Sequence, residues 1–289
     1  MNIGIVAVDS KIPNLALMKL STWHKAQGDS VKVYEPLFDR PDRLYASKVF
    51  NFTADYAYFP ADVEIVRGGT GYDMAVELPA EVEAMYPDYD LYQCDYAMGF
   101  TTRGCIRRCP FCVVPAKEGP IRAVGDIHDF WRGQERLMLL DNNLTALPEH
   151  FELVVRQMIR ERVKVSFSQG LDIRLLTLEM AELLSQVRLW KQIHFAWDDV
   201  RIEESVRKGI KTLQAGGVSL HDVTFYVLIG FDSTPEEDLY RVETLRGLKV
   251  NPFVMPYDRR DSYQRRFARW CNHKAIFKTV KWSEYQEAS

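Results

Sequence analysis

From residue 96 onward the chain alternates short apolar or β-branched runs with stretches of helical periodicity, and this alternation constrains its fold more than any other feature. The runs are Tyr96 to Phe100, Arg136 to Leu140, Lys164 to Phe167, Gln192 to Trp197, Val223 to Ile229 and Asn251 to Met255. From Arg136 their starts lie roughly 28 to 31 residues apart, about the length of a strand and its returning helix. Between two of them Phe151, Val154, Val155, Met158 and Ile159 form an i, i+3, i+4, i+7, i+8 stripe, the core face of a helix. Thr234-Pro235-Glu236-Glu237 marks a helix start, with a capping hydroxyl, a proline at the first helical position and a glutamate at the third. Six such units predict a parallel α/β barrel, complete or partial, over residues 95–258. Active-site groups of such barrels gather at the carboxyl ends of the strands.

Residues 1–94 read as a separate, reduced Rossmann-like α/β layer, with strands at Asn2 to Val8, Val31 to Tyr34 and Val63 to Val66 and a helix at Leu15 to Gln27. Gly68-Gly69-Thr70-Gly71 could cradle a phosphate, but no helical pattern follows, so a glycine turn is the preferred reading. With 289 residues, 47% of them hydrophobic, the chain can bury a substantial core. Its net charge of −3 gives no global sign of nucleic-acid binding. No apolar segment approaches the ~20 residues of a membrane span and none resembles a secretory leader, so a cytoplasmic chain with reduced thiols and no membrane partner is expected.

Three of the five cysteines, Cys105, Cys109 and Cys112, fall in one loop after the first barrel strand, with the spacing CxxxCxxC. Thiolates this close can hold a metal centre, and three ligands on a four-iron cluster leave one iron open. Zinc fits less well, because a structural zinc site closes with four ligands and the chain has neither a second CxxC nor a closely spaced His pair. Disulfides fit an odd cysteine count poorly.

This spacing, with the aromatic Phe111 before the last cysteine, resembles the radical S-adenosylmethionine superfamily, whose motif is CxxxCxφC with φ aromatic. The resemblance implies a partial (β/α)6 barrel and a 4Fe-4S cluster on Cys105, Cys109 and Cys112, with S-adenosylmethionine chelating the fourth iron. It also implies a one-electron reductant such as flavodoxin or ferredoxin, and a 5'-deoxyadenosyl radical that abstracts hydrogen from a substrate. The first 94 residues resemble a shortened cobalamin-binding domain. The loop that would carry the cobalt-ligating histidine reads Asp9-Ser10-Lys11-Ile12-Pro13, so cobalamin is not expected. The compactness is similar to that of short bacteriophage-encoded members.

On this resemblance the strand ends form a cofactor pocket. Asp141, Asn142 and Asn143 would meet the cofactor's amino group, or would simply cap a helix. Gln169 and Asp172 would meet ribose hydroxyls and Arg174 the methionine carboxylate, unless Arg174 is only a solvated loop residue. Trp197 and Asp198 offer a wall and a carboxylate. Gly230 matches the family's turn beneath the adenine, or merely permits close packing. Tyr257 and, preferably, Phe111 present a ring to the adenine. Asp198, Asp232, Tyr257 or a tail residue would lie near the substrate, with no acid-base residue singled out among them.

Cys94 and Cys271 are too few for a second three-cysteine cluster, which weighs against a methylthiotransferase or a peptide-maturing member. Cys271 is either a methyl acceptor or, more simply, a buried small hydrophobe. The segment 259–289 reads as a basic aromatic extension. From Asp258 to Ser289 eight basic residues against four acidic ones leave 8 − 4 = +4, interleaved with Tyr263, Phe267, Trp270, Phe277, Trp282 and Tyr285. Such a tail could meet a nucleic-acid or nucleotide substrate. It could equally pack its rings on the barrel, which is the simpler expectation. A different class stays open as well, a non-catalytic iron-sulfur binding or electron-transfer protein on the same scaffold.

Overall fold

The computed structural model describes residues 1–285. Its first layer is a four-stranded parallel sheet in the order β2-β1-β3-β4, from β1 (Asn2–Ala7), β2 (Ser30–Val33), β3 (Arg43–Ser47) and β4 (Glu64–Gly68). The sequence reading found three of these strands and missed β3, which is the inner partner of both β1 and β4. Its Arg-Leu-Tyr-Ala-Ser run carries only Leu44 and Ala46 as buried apolar side chains, too sparse a signal to stand out. Helix α1 (Leu15–Ala26) is shared between two cores. Leu17 and Leu20 pack with Ile3 and Ile5 of the sheet, while Leu15 and Met18 join the main core of the rest of the molecule. The glycine run after β4 packs against the chain following β3 and leads into no helix; a Cβ on Gly69 would come within 2.4 Å of the Lys48 carbonyl oxygen. That is the glycine turn.

The remaining strands are β5 (Ala97–Gly99), β6 (Thr102–Arg103), β7 (Arg122–Ala123), β8 (Arg136–Leu139), β9 (Lys164–Phe167), β10 (Ile193–Ala196), β11 (Val223–Ile229) and β12 (Asn251–Pro256). Single-turn helices α2 (Ala80–Glu83) and α3 (Val114–Lys117) precede the longer α4 (Pro148–Glu161), α5 (Leu178–Gln186), α6 (Glu203–Ala215), α7 (Pro235–Gly247), α8 (Ser262–Asn272) and α9 (Lys274–Thr279). The stripe read from the sequence is the buried face of α4: Phe151, Val154, Val155 and Met158 are buried and Ile159 packs beside them. At the start of α7 the capping box forms in both directions, Glu237 N–H donating to Thr234 Oγ1 and Thr234 N–H to Glu237 Oε2.

The chain is therefore α/β with parallel strands, and the six apolar runs match six strands with ends displaced by at most a residue. They do not make one continuous sheet. They divide into two parallel sheets, β5-β8-β9 and β10-β11-β12, with β6 and β7 as a separate antiparallel pair. Among the described residues no ladder joins β9 to β10. Side chains and loops stitch the seam instead. Near its start Val165 pairs with Leu189 in an isolated bridge. Farther along, His194 Nδ1 donates to the Phe167 carbonyl (3.1 Å), Tyr226 Oη to the Ser168 carbonyl (3.2 Å), and Leu171 N–H to the His194 carbonyl (2.8 Å). Burial lowers the His194 pKa, opposed by the hydrogen bond to the Phe167 carbonyl and aided by Lys191.

Two further side chains complete the second sheet. Asn272 of α8 brackets Val254 of the edge strand β12, its Oδ1 accepting from the N–H and its Nδ2 donating to the carbonyl. This occupies backbone groups that an open edge would expose. Arg241 of α7, 0% exposed, donates to the Trp197 and Leu228 carbonyls at the ends of β10 and β11 and pairs with buried Asp238 at 2.7 Å. The C-terminal rings turn inward: Phe267, Trp270, Phe277 and Tyr285 are buried, and Trp282 packs against the first two. The rings thus pack inward, the simpler of the two readings of this extension, and its residues 286–289 lie outside the described residues.

Breaking the Arg241 pair should be costly, because it strands the buried Asp238 carboxylate. Arg241→Met is expected to lose about 3–5 kcal/mol of stability in urea unfolding, and a loss below about 1 kcal/mol would place this pair with weak surface pairs.

Candidate functional site

The cysteine loop leaves the end of β5 along a path fixed by one carboxylate. Asp141, 4% exposed at the end of β8, accepts hydrogen bonds from the backbone N–H and side-chain hydroxyl of both Thr101 and Thr102. Gly104 follows at φ +81°, a left-handed conformation, where a Cβ would come within 2.3 Å of the Pro120 carbonyl oxygen. Glu118, just past α3, accepts from Gly104 N–H, Asn142 Nδ2 and Arg103 Nη1 and so gathers both ends of the loop to the turn after β8.

From this base the loop makes contacts after β8, β9 and β11, with groups after β10 and β12 close behind. After β8, Asn143 Nδ2 donates to Cys105 Sγ at 3.5 Å. After β9, Asp172 accepts from Arg107 Nε at 2.8 Å and from Arg174 Nε and Nη2 at 2.7 and 2.9 Å. After β10, Asp198 lies half-buried, accepts from Leu228 N–H and acts electrostatically on Cys109 and Cys112. After β11, Phe231 meets Phe111 edge to face at 5.5 Å, and Tyr257 after β12 meets Phe231 at 5.0 Å.

The electrostatics follow from this crowding. Burial, then the neighbouring Cys112 thiol, pushes Cys109 up, while Arg174 pulls it down. Burial raises Cys112 as well, followed by Cys105, Asp198 and Glu118, against the Val114 backbone N–H. Burial also raises Asp198, opposed by the Leu228 N–H and by Arg241 and Arg174. Asp172 goes the other way: burial alone would raise it, but hydrogen bonds and charge from Arg174 and Arg107 hold it below the usual carboxylate range.

Among the described residues no three His, Cys, Asp or Glu side chains converge as ligands of a single ion would. The three thiols share one loop without closing on one point. A multi-iron cluster takes one thiolate per iron, so its soft donors need not meet at a single atom. Cys105, Cys109 and Cys112 supply that donor chemistry, all three as free thiols of intermediate burial.

Several residues expected at the pocket have other work. Asp141 is spent on Thr101 and Thr102. Trp197, 0% exposed, donates to the Asp199 carbonyl and belongs to the core, so it is no cofactor wall. Gly230, at φ +77°, leaves room for Gln264, whose amide nitrogen a Cβ would approach within 2.1 Å; it serves close packing there. Asp232 is exposed, with a 4.0 Å ion pair to Arg201. Cys271 is 2% exposed in α8 and its thiol is pushed far up by burial, which leaves it as a small core hydrophobe and not a presented methyl acceptor. Gln169 is exposed after β9, and Asn142 is held by Glu118. Sequence reasoning missed Glu118, Arg107, Thr145 and the seam residues His194 and Tyr226. Arg107 sat inside the quoted motif, whereas the others carry no local signal.

No protein-family model matches the chain. Over 113 residues it is 26% identical to the ribosomal protein uS12 methylthiotransferase RimO of Nitrosomonas europaea, a stretch covering 38% of this chain and 24% of that protein. The chain thus spans about a quarter of that relative's length. This similarity is distant and local, and it names no reaction for this chain. Among the described residues no helix is long and apolar enough to cross a membrane.

Asp172 gives the site a pH signature. Its folded pKa lies below its unfolded value of about 3.9, so its contribution is complete above that pH and lost as pH falls through the folded pKa. Asp172→Asn should be less stable than the parent at pH 7 in urea unfolding, with the gap narrowing below about pH 4. A gap that stays constant with pH would contradict the pairing.

Proposed function

We propose that the chain is a radical S-adenosylmethionine enzyme whose two parallel sheets serve as the halves of a partial (β/α)6 barrel. The observation that carries this reading is the meeting of one three-cysteine loop with the carboxyl ends of strands from both sheets. Cofactor pockets of parallel α/β folds lie at that rim.

Cys105, Cys109 and Cys112 would each give one thiolate to a 4Fe-4S cluster, leaving the fourth iron for the amino and carboxylate groups of S-adenosylmethionine. When bound and reduced, these groups together supply a 5'-deoxyadenosyl radical able to abstract hydrogen from a substrate. The protein's part is to bind, orient and shield. Asp172 holds the Arg174 guanidinium through Nε and Nη2, leaving Nη1 for the methionine carboxylate. Phe111, backed by Phe231 and Tyr257, would offer an apolar wall for the adenine. Gln169 stands at the exposed rim where ribose hydroxyls would lie, and half-buried Asp198 faces the same space.

The substrate is hydrogen-bearing and unnamed. A nucleic acid or nucleotide keeps some support from the +4 charge of Asp258 to Ser289, without the rings. The electron would come from a flavodoxin- or ferredoxin-like donor. No part is proposed for cobalamin, because the loop Asp9-Ser10-Lys11-Ile12-Pro13 lacks the histidine that would ligate its cobalt. The likeness to short bacteriophage-encoded members rests on compactness and on that missing histidine.

The test is anaerobic reconstitution followed by dithionite and S-adenosylmethionine, with 5'-deoxyadenosine measured beside a Cys105→Ala, Cys109→Ala, Cys112→Ala triple variant. Nucleoside from the parent alone is expected. Cofactor bound to a verified four-iron cluster without cleavage would assign the chain to non-catalytic iron-sulfur binding or electron transfer.

A further inference from the structure

One polar chain leads from the backbone amide of Asp172, the residue whose carboxylate bridges the two arginines, to a single thiol of the cysteine loop. The Asp172 backbone N–H donates to Thr145 Oγ1 at 2.9 Å, the Thr145 hydroxyl donates to Asn143 Oδ1 at 2.9 Å, and Asn143 Nδ2 donates to Cys105 Sγ at 3.5 Å. Its members are enclosed, with Thr145 1%, Asn143 3% and Asp172 9% exposed.

The direction of the chain follows from its sulfur end. A thiolate that binds iron can only accept, so the Asn143 NH2 group faces Cys105 and its Oδ1 faces Thr145. The Thr145 hydroxyl, which accepts the Asp172 amide on one lone pair, gives its single hydrogen to that Oδ1. Asn143 also forgoes the ordinary task of its position. It precedes the short 3-10 helix Leu144–Ala146 yet makes no side-chain cap hydrogen bond to it. Cys105 further accepts the Arg107 backbone N–H at 3.3 Å. Among the described residues it is the one thiol of the three that receives a side-chain donor.

We infer that Asn143 is a positioning residue for electron transfer, raising the reduction potential of the iron-sulfur cluster through its N–H···S bond to Cys105, with Thr145 holding it in place. The inference rests on the cluster assignment proposed above. Taking up one electron from an external donor adds negative charge that spreads onto the cysteine sulfurs, and an N–H aimed at sulfur stabilises that added charge. Hydrogen bonds to the sulfurs are among the levers that set such potentials. Placing the donor on one cysteine also makes the cluster electronically unsymmetrical.

The experiment is a spectroelectrochemical titration of the reconstituted parent, Asn143→Leu and Thr145→Val proteins, each with its iron content measured and its thermal unfolding recorded. Both replacements keep the approximate side-chain volume; the first removes the donor and the second its support. The expected result is four irons per chain in all three, with a more negative midpoint potential in Asn143→Leu and a smaller shift of the same sign in Thr145→Val. Potentials equal to the parent's in both loaded variants would overturn the inference while leaving the cluster assignment intact. Variants that unfold like the parent but load no cluster would overturn it too, assigning Asn143 to cluster retention instead. A parent that takes up no four-iron cluster would instead overturn the assignment on which the inference stands.

Discussion

The carboxylate of Asp141 is the constraint on which the rest of the site depends. A buried carboxylate persists only when its lone pairs are filled, and here the backbone and hydroxyls of Thr101 and Thr102 fill them. Those bonds couple the end of β8 to the turn leaving β5, so the cysteine loop starts from a fixed point and heading. Gly104 and Glu118 then fold it back across the rim. Without that anchor Cys105, Arg107 and Phe111 would have no defined relation to Asn143, Asp172 and Phe231, and a motif readable in one dimension would have no site in three.

The division of the strands into two sheets gives this loop a structural role as well. Between β9 and β10 the backbone ladder is absent among the described residues, and His194, Tyr226 and the Leu171 amide carry the connection. At the rim the loop reaches across the same gap, with Asp172 and Asn143 on one side and Asp198, Phe231 and Tyr257 on the other. The candidate site therefore lies where the two halves meet, and residues that would bind a cofactor also join the sheets. A group bound there would contact both halves, so binding should be linked to their relative stability.

The strands of the larger part were legible because β-branched and aromatic runs recur at a spacing that only strand and helix together explain. The capping box of α7 and the stripe of α4 were equally plain. What escaped has physical reasons. Strand β3 buries only two modest apolar side chains, Leu44 and Ala46, among Arg43, Tyr45 and Ser47. The seam depends on which hydrogen-bond partner the Phe167 carbonyl finds, and nothing local distinguishes a backbone amide from His194. Trp197 and Asp141 were read as pocket residues because they are aromatic or polar at strand ends, whereas burial turned both inward. The cysteine spacing was legible as a donor set. The network of Arg107, Asp172, Thr145 and Asn143 was not, since its members come from three loops that only the fold assembles.

The central claim is that three thiolates of this loop hold a four-iron cluster whose open iron takes S-adenosylmethionine. Low-temperature electron paramagnetic resonance of the reduced, reconstituted protein, before and after adding the cofactor, tests it most directly. The account predicts a reduced 4Fe-4S signal whose g values shift when the cofactor is added. A cluster signal that stays unmoved by the cofactor, or that persists when Cys105, Cys109 and Cys112 are all alanine, would contradict it.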